Sequence, residues 1–265
     1  MKPLIIIATP NICWLHPDEV EYPRTPAEIA EEASLCREAG ATVLHTHAEG
    51  QWVEVINAVR KRSDILVQCG MSSLKIPERM DVYYQKADMI SVILNHHDEA
   101  FAKVDCNELH PKDELEEYAR LAAQFGVKPE FEVWHTGSIW NLNHLIKKKL
   151  LIPPYITTLF FGWPGGTWSP PTIEEYLYRR KHMPEGCAVA VSIMGQEQMD
   201  ILATAILLGD HVRVGTEDWP FARDGKLATT HELVAEIAQV ARSVGRPIAT
   251  VEGARQTLGI EGKGQ

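Results

Sequence analysis

Eight short β-branched runs alternate with eight longer amphipathic runs along 265 residues, and no glycine-rich phosphate turn follows the first of them. Strict alternation predicts an α/β chain with a parallel sheet, and a count of eight predicts that the sheet closes into one (β/α)8, or TIM, barrel. A doubly wound open sheet is the alternative. It usually stops at fewer strands, and it would carry the missing turn.

The first run, 4–8 (LIIIA), is apolar throughout, as a strand covered on both faces should be. Helix 26–39 opens at Thr25-Pro26, where proline's missing N–H costs nothing, and stops at Gly40. Strand 42–46 (TVLHT) pairs with helix 52–62, and 65–69 (ILVQC) with 76–86. Strand 89–94 (MISVIL) leads to helix 112–125, whose acidic start at Asp113 and Glu114 suits a helix N-terminus and whose end falls at Gly126. The second half repeats the plan. Strands 128–134 (KPEFEVW), 155–161 (YITTLFF), 188–193 (AVAVSI) and 211–214 (HVRV) alternate with helices 138–148, 172–181, 196–208 and 230–244. Trp163-Pro164-Gly165-Gly166 reads as a long loop after the sixth strand. No linker or repeat divides the chain, so residues 1–265 are expected to form a single domain.

A formal charge of −10 argues against a nucleic-acid partner, which needs a basic face. Five cysteines (Cys13, Cys36, Cys69, Cys106, Cys187) are scattered and odd in number, with no CxxC pair. They fit free thiols in a reducing cytoplasm. The opening MKPLIIIATP is too short an apolar run for a signal peptide or a membrane span, and no later segment is long enough to cross one.

His45 and His47 stand two apart at the end of the second strand, so their side chains share a face. Active sites of such barrels gather at strand C-terminal ends, and neutral imidazole is a common zinc ligand. Alone, the spacing equally fits one core and one surface histidine. The eighth strand adds Arg213, Gly215, Glu217 and Asp218. In a closed barrel this strand neighbours the first two, which brings Glu217 within reach of the same metal. Asp218 would then pair with Arg213. The plain alternative is a solvated acidic pair in a loop. Glu132 and His135 end the fifth strand, where holding neighbouring site residues in place, or a plain structural role, is the simpler reading. Gly165-Gly166 offers backbone N–H groups to an anion, or only a tight turn.

Taken together, these stretches resemble the β-keto acid cleavage enzyme family. The resemblance runs through IIIATPN, TPAEIAEEASLCREAGATVLHTHAEG, PEFEVWHTGSI, FGWPGG and HVRVGTEDWPFARDGKLATTHELVAEIAQVARSVGRPIAT. It implies a TIM barrel, one divalent metal (usually zinc), and a homo-oligomer, a tetramer by expectation. It implies His45, His47 and Glu217 as metal ligands, Asp218 as catalytic base, and Arg213 as its support. Ser91 matches a substrate-binding serine. Asn11, Trp14, Gln68, Gly70, Ser72 and Glu132 complete the expected substrate-binding set. The family's hydroxyl- and glycine-rich turn after the third strand reads Gln68-Cys69-Gly70-Met71 here, with Ser72 in position to replace the hydroxyl. Cys13-Trp14 stands where an amine-recognising member carries an acid, which predicts an apolar or quaternary-ammonium substrate tail rather than a primary ammonium.

The implied reaction converts a β-keto acid and acetyl-CoA into acetoacetate and a new acyl-CoA. Two other readings stand beside it. A metal-dependent barrel hydrolase, of the amidohydrolase kind, also uses His-x-His, though normally on its first strand. A non-catalytic metabolite-binding barrel would have no need of an Arg213–Asp218 pair.

Overall fold

The computed structural model describes residues 1–12, 19–94, 96–98, 107–163 and 169–260. Its strands, in chain order, are β1 (Ile6–Ala8), β2 (Val43–Thr46), β3 (Leu66–Cys69), β4 (Met89–Ile93), β5 (His96–Asp98), β6 (Asn107–Leu109), β7 (Lys128–Val133), β8 (Tyr155–Phe161), β9 (Cys187–Ile193) and β10 (His211–Val214). All but β5 and β6 form a closed parallel barrel in which β10 pairs back to β1. The helices are α1 (Pro26–Ala39), α2 (Trp52–Arg62), α3 (Ile76–Tyr84), α4 (Lys112–Phe125), α5 (Thr136–Lys147), α6 (Ile173–His182), α7 (Gln198–Leu208), α8 (Thr230–Ser243) and α9 (Val251–Leu258). The expected single (β/α)8 barrel is therefore the observed architecture. Among the described residues no helix is long and apolar enough to cross a membrane.

Local chemistry starts the helices where the sequence placed them. Thr25 caps α1 and Thr229 caps α8, each in a capping box with a glutamate three residues on. Gly126 and Gly209 end α4 and α7 in the left-handed conformation that glycine adopts without a Cβ clash.

Two elements were not expected. The antiparallel pair β5–β6 sits in the β4–α4 connection. Helix α9 follows the capping Thr250, and its Val251, Ala254 and Leu258 pack against Ile5, Ile7, Val43, Leu66, Met89 and Ile156. These are the inward residues near the strands' N-terminal ends, so α9 closes the lower end of the barrel.

The interior changes character along the strands. Two residues beyond Val43, Leu66 and Met89, the inward positions become His45, Gln68 and Ser91, all buried. Glu130, Glu132, Thr158, Ser192 and Arg213 are buried with them. A two-residue step keeps a side chain on the same face. The apolar plug below and the polar chamber above are thus written on the same strands. Outside, a large core of strand and helix residues, including Leu44, Val67, Ile90 and Val212, covers the barrel wall.

His211 accepts a hydrogen bond from the Ile5 backbone N–H at 3.1 Å. Burial, then the charges of Arg246 and Lys2, hold its imidazole down at about 3. The unfolded chain takes up this proton below its ordinary value of 6.5, whereas the folded chain does not until about pH 3. Stability is therefore lost as pH falls through that window. In urea titrations between pH 6 and pH 4, His211→Gln is expected to flatten the pH slope by about 1.4 kcal/mol per pH unit, one proton's linkage. An unchanged slope would show that His211 does not resist protonation.

Candidate active site

Three side chains from two distant parts of the chain converge at the C-terminal mouth of the barrel. His45 Nε2 and His47 Nε2 lie 3.3 Å apart. Glu217 Oε1 is 3.6 Å from the first and 3.2 Å from the second. Donors about 2.0–2.1 Å from a tetrahedral zinc sit roughly 3.3 Å from one another. The trio therefore fits a single divalent ion, and two imidazoles with one carboxylate suit zinc and other first-row divalent metals alike.

The surroundings hold these donors in place. Asn11 Oδ1 accepts from the His47 N–H at 3.0 Å and from Thr46 Oγ1 at 2.9 Å, while its Nδ2 donates to His47 O at 3.0 Å. Thr9 Oγ1 donates to Glu217 Oε2, fixing the oxygen that faces away from the imidazoles. Burial, then the charge of Arg213, lower the His45 imidazole to about 4 against the pull of Glu217, so it stays in the neutral, ligating form. Burial works against ionisation of Glu217 as well, but Arg213 and the two imidazoles outweigh it and hold the carboxyl well below its usual range.

Gly70 leaves room for the rings. A Cβ built there would lie 2.6 Å from His47 Cε1 and 2.7 Å from His45 Nε2. Gly70→Ala is expected to push both imidazoles aside and to weaken the trio's hold on a divalent ion by about 10–100-fold, the scale for disturbed ligand orientation. Chelator competition with a divalent ion should show the weaker binding; unchanged affinity would mean that the rings have room to move.

Arg213 links the trio to Asp218. Its Nη2 donates to Glu217 Oε1 at 2.6 Å and to Asp218 Oδ1 at 2.8 Å, and its Nε donates to Asp218 Oδ2 at 3.0 Å. Ser192 Oγ donates to Asp218 Oδ2 at 2.7 Å. Burial raises the Asp218 carboxyl above its ordinary value against the pull of Arg213.

A cavity of about 510 Å³ opens above these residues. His45, His47, Gly70, Ser72, Glu132, Arg213 and Glu217 all line it. Trp134, Phe160, Trp163 and Met194 form an apolar wall, with the Trp134 and Phe160 rings stacked at 4.3 Å. Asp218 is fully buried behind Arg213 and is not part of the wall. Ser91, Gln68 and Asn11 also stand one layer back. Ser91 Oγ accepts from the Met71 N–H at 2.8 Å and meets Ser72 Oγ at 3.1 Å. Gln68 Nε2 donates to Glu130 Oε2 at 2.8 Å. Trp14 and Gly165-Gly166 lie outside the described residues.

Glu132 accepts from Ser72 Oγ and, at 2.9 Å, from Trp134 Nε1, so the serine after the third strand does supply a hydroxyl to the cavity wall. His135 is a helix cap: its Nδ1 accepts from the Gly137 N–H at 3.0 Å. Sequence reasoning missed Thr9, Ser192 and Glu130. Burial, then the Glu132 charge, push the Glu130 carboxyl up. The signal for all three was strand phase, since each sits on an inward position.

A parallel barrel with two imidazoles and a carboxylate converging at its mouth defines a barrel enzyme with a candidate divalent-metal centre. The chain belongs to the beta-keto acid cleavage enzyme family, whose model matches residues 3–260. It is 28% identical to a 3-keto-5-aminohexanoate cleavage enzyme of Fusobacterium nucleatum, over 98% of this chain and 99% of that one. It is 27% identical to a 3-dehydrocarnitine:acetyl-CoA trimethylamine transferase of Rhizobium meliloti, over 89% of each. Among solved structures, the apo structure of ObcA superposes with a TM-score of 0.76 at 18% identity, a likeness of fold. That match covers 90% of this chain and 65% of ObcA. The chain is accordingly an enzyme of the β-keto acid-cleaving, acyltransferase type, and the hydrolase and metabolite-binding readings are left without support.

Proposed function

We propose that this enzyme converts a β-keto acid and acetyl-CoA into acetoacetate and a new acyl-CoA, using zinc or another divalent metal held by His45, His47 and Glu217. The observation that carries this reading is the convergence of those three donors on one point of the cavity wall. Acetyl-CoA recurs in the names of three relatives that differ in the group they transfer. It is the co-substrate proposed here.

The net exchange breaks the bond between C2 of the keto acid and its ketone carbon. A new bond joins that C2 to the acetyl carbonyl carbon, and the CoA thiolate ends on the original acyl group. When bound, the metal supplies Lewis-acid polarisation of the ketone. Asp218 is the proposed base for the proton beside the ketone, and Arg213 aligns it and carries the neighbouring positive charge. Gly70, Ser72 and Glu132 meet the substrate; Ser91, Gln68 and Asn11 hold those contacts in register. The apolar wall of Trp134, Phe160, Trp163 and Met194 is proposed to receive a tail without a primary ammonium.

The deciding experiment supplies zinc-loaded protein with acetyl-CoA and a panel of β-keto acids, and reads acyl-CoA products by mass spectrometry. Acetoacetate formed only when acetyl-CoA is present is the expected result. Release of product without acetyl-CoA would overturn the reading. A homo-oligomer, four chains by expectation, belongs to the same proposal. Ile173, Leu177 and Tyr178 of α6 and Leu207 and Leu208 of α7 are large apolar side chains left exposed in the single chain. Light scattering that gives a monomer would remove it.

A further inference from the structure

Arg79 of α3 is fully buried, and no carboxylate pairs with it among the described residues. Its charge is met by carbonyls instead. Nε donates to Leu74 O at 2.7 Å and Nη1 to Ser91 O at 2.8 Å. Nη2 donates to Met71 O at 2.6 Å and to Ser72 O at 3.3 Å. The guanidinium lies 4.1 Å over the Tyr118 ring, whose hydroxyl donates to Glu114 Oε1 and lies 3.1 Å from Leu74 O. One side chain thus gathers three carbonyls of the turn 71–74 and one from β4.

Those bonds fix the other side of each peptide. In a trans peptide the C=O and N–H point in opposite directions. With Met71 O and Ser72 O turned to Arg79, the N–H groups of Ser72 and Ser73 point away from it. Ser72 and Ser73 line the cavity, whereas Arg79 and Met71 do not. Neither of these two N–H groups has an acceptor among the described residues. Two successive free N–H groups beside a hydroxyl form a concavity that suits an anion. A positive charge behind the carbonyls polarises the peptides and strengthens their N–H donors. Arg213, the basic side chain among the described residues of the cavity wall, is already engaged by Glu217 and Asp218.

We propose that Arg79 is a positioning residue: it turns the 71–74 peptides so that the Ser72 and Ser73 N–H groups hold the carboxylate of the substrate. The inference rests on the reading that this cavity takes a β-keto acid. Arg79 touches no substrate atom and acts only through the turn.

The first test needs no variant. In amide proton–nitrogen spectra of the zinc-loaded wild type, acetoacetate should move the Ser72 and Ser73 resonances and leave Gly126, the C-cap of α4, in place. Unmoved Ser72 and Ser73 resonances would overturn the proposal, and they would do so even if the cleavage reaction were shown by another route. The second test compares Arg79→Gln and Arg79→Lys. The glutamine variant should raise KM for the β-keto acid by about 10- to 100-fold, as for lost hydrogen bonds to a charged group. Lysine, which keeps the charge, should recover part of that loss. KM for acetyl-CoA and zinc content should stay as in the wild type. Loss of both KM values and zinc in proportion would mean that Arg79 only supports the fold. If the glutamine variant does not fold, the lysine variant is compared with the wild type alone, where an unchanged KM for the β-keto acid would overturn the role of Arg79. If the wild type forms no acetoacetate from any keto acid, the proposed reaction fails, while the acetoacetate titration still reads the carboxylate cradle by itself.

Discussion

Glu217→Gln is expected to strip the metal from the enzyme and abolish turnover. The substitution keeps the shape but removes the charge from the one anionic donor of the trio. Partners that merely orient a ligand change metal affinity by about 10–100-fold, so removal of a charged ligand should cost at least the upper end of that range. The change also reaches Arg213, whose Nη2 donates to Glu217 Oε1 at 2.6 Å and would then face a neutral amide. Competition with a chelator gives the affinity, and elemental analysis gives the occupancy. A milder companion separates the two effects. Thr9→Val removes the hydroxyl that holds Glu217 Oε2 but leaves the ligand itself intact. It should weaken zinc binding by about 10–100-fold, with Arg213 undisturbed. Full zinc occupancy and full activity in Glu217→Gln would end the metal proposal.

Much of this architecture was legible before any coordinates. The strands were readable because a parallel strand covered on both faces is a continuous apolar run, and the barrel followed from their number. The histidine pair was readable because i and i+2 share a face. What stayed hidden depended on closure. Helix α9 is eight residues long and contains Gly253, so its pattern is weak in isolation. Its apolar face has meaning only against Ile5, Val43 and Leu66, which come from the other end of the chain. Arg79 reads as an ordinary charged residue on an amphipathic helix. Only the folded turn shows that carbonyls surround it. The family resemblance separates the adjacent Glu217 and Asp218 into metal ligand and base, but it does not show their depth. In the fold one faces the cavity and the other lies behind Arg213.

That difference of depth shapes the second large effect. Asp218→Asn is expected to lower kcat/KM by about 10²–10⁴, the usual contribution of a positioned base, with zinc retained. Retention follows because Asp218 is not among the three converging donors. Its carboxylate is held by Ser192 Oγ at 2.7 Å and by two nitrogens of Arg213, and an amide oxygen can keep part of that network. The loss of rate alone would not separate a base from a group that only aligns Arg213. Proton exchange does. Incubated in deuterated water with zinc-loaded wild type and no acetyl-CoA, a β-keto acid should exchange the proton beside its ketone faster than the spontaneous rate. Asp218→Asn should return that exchange to the spontaneous rate while leaving substrate binding measurable by calorimetry. If Asp218 serves only to fix Arg213, exchange survives in the asparagine variant and affinity falls instead. The buried position favours the first outcome on physical grounds. A carboxylate taken out of water is a stronger base than one in solvent, and burial raises Asp218 against the opposing pull of Arg213. Its route to the substrate then runs past Arg213, the residue that separates it from the cavity. Arg213→Lys should therefore alter the exchange rate as well, because a single ammonium cannot hold Glu217 and Asp218 in the same fork.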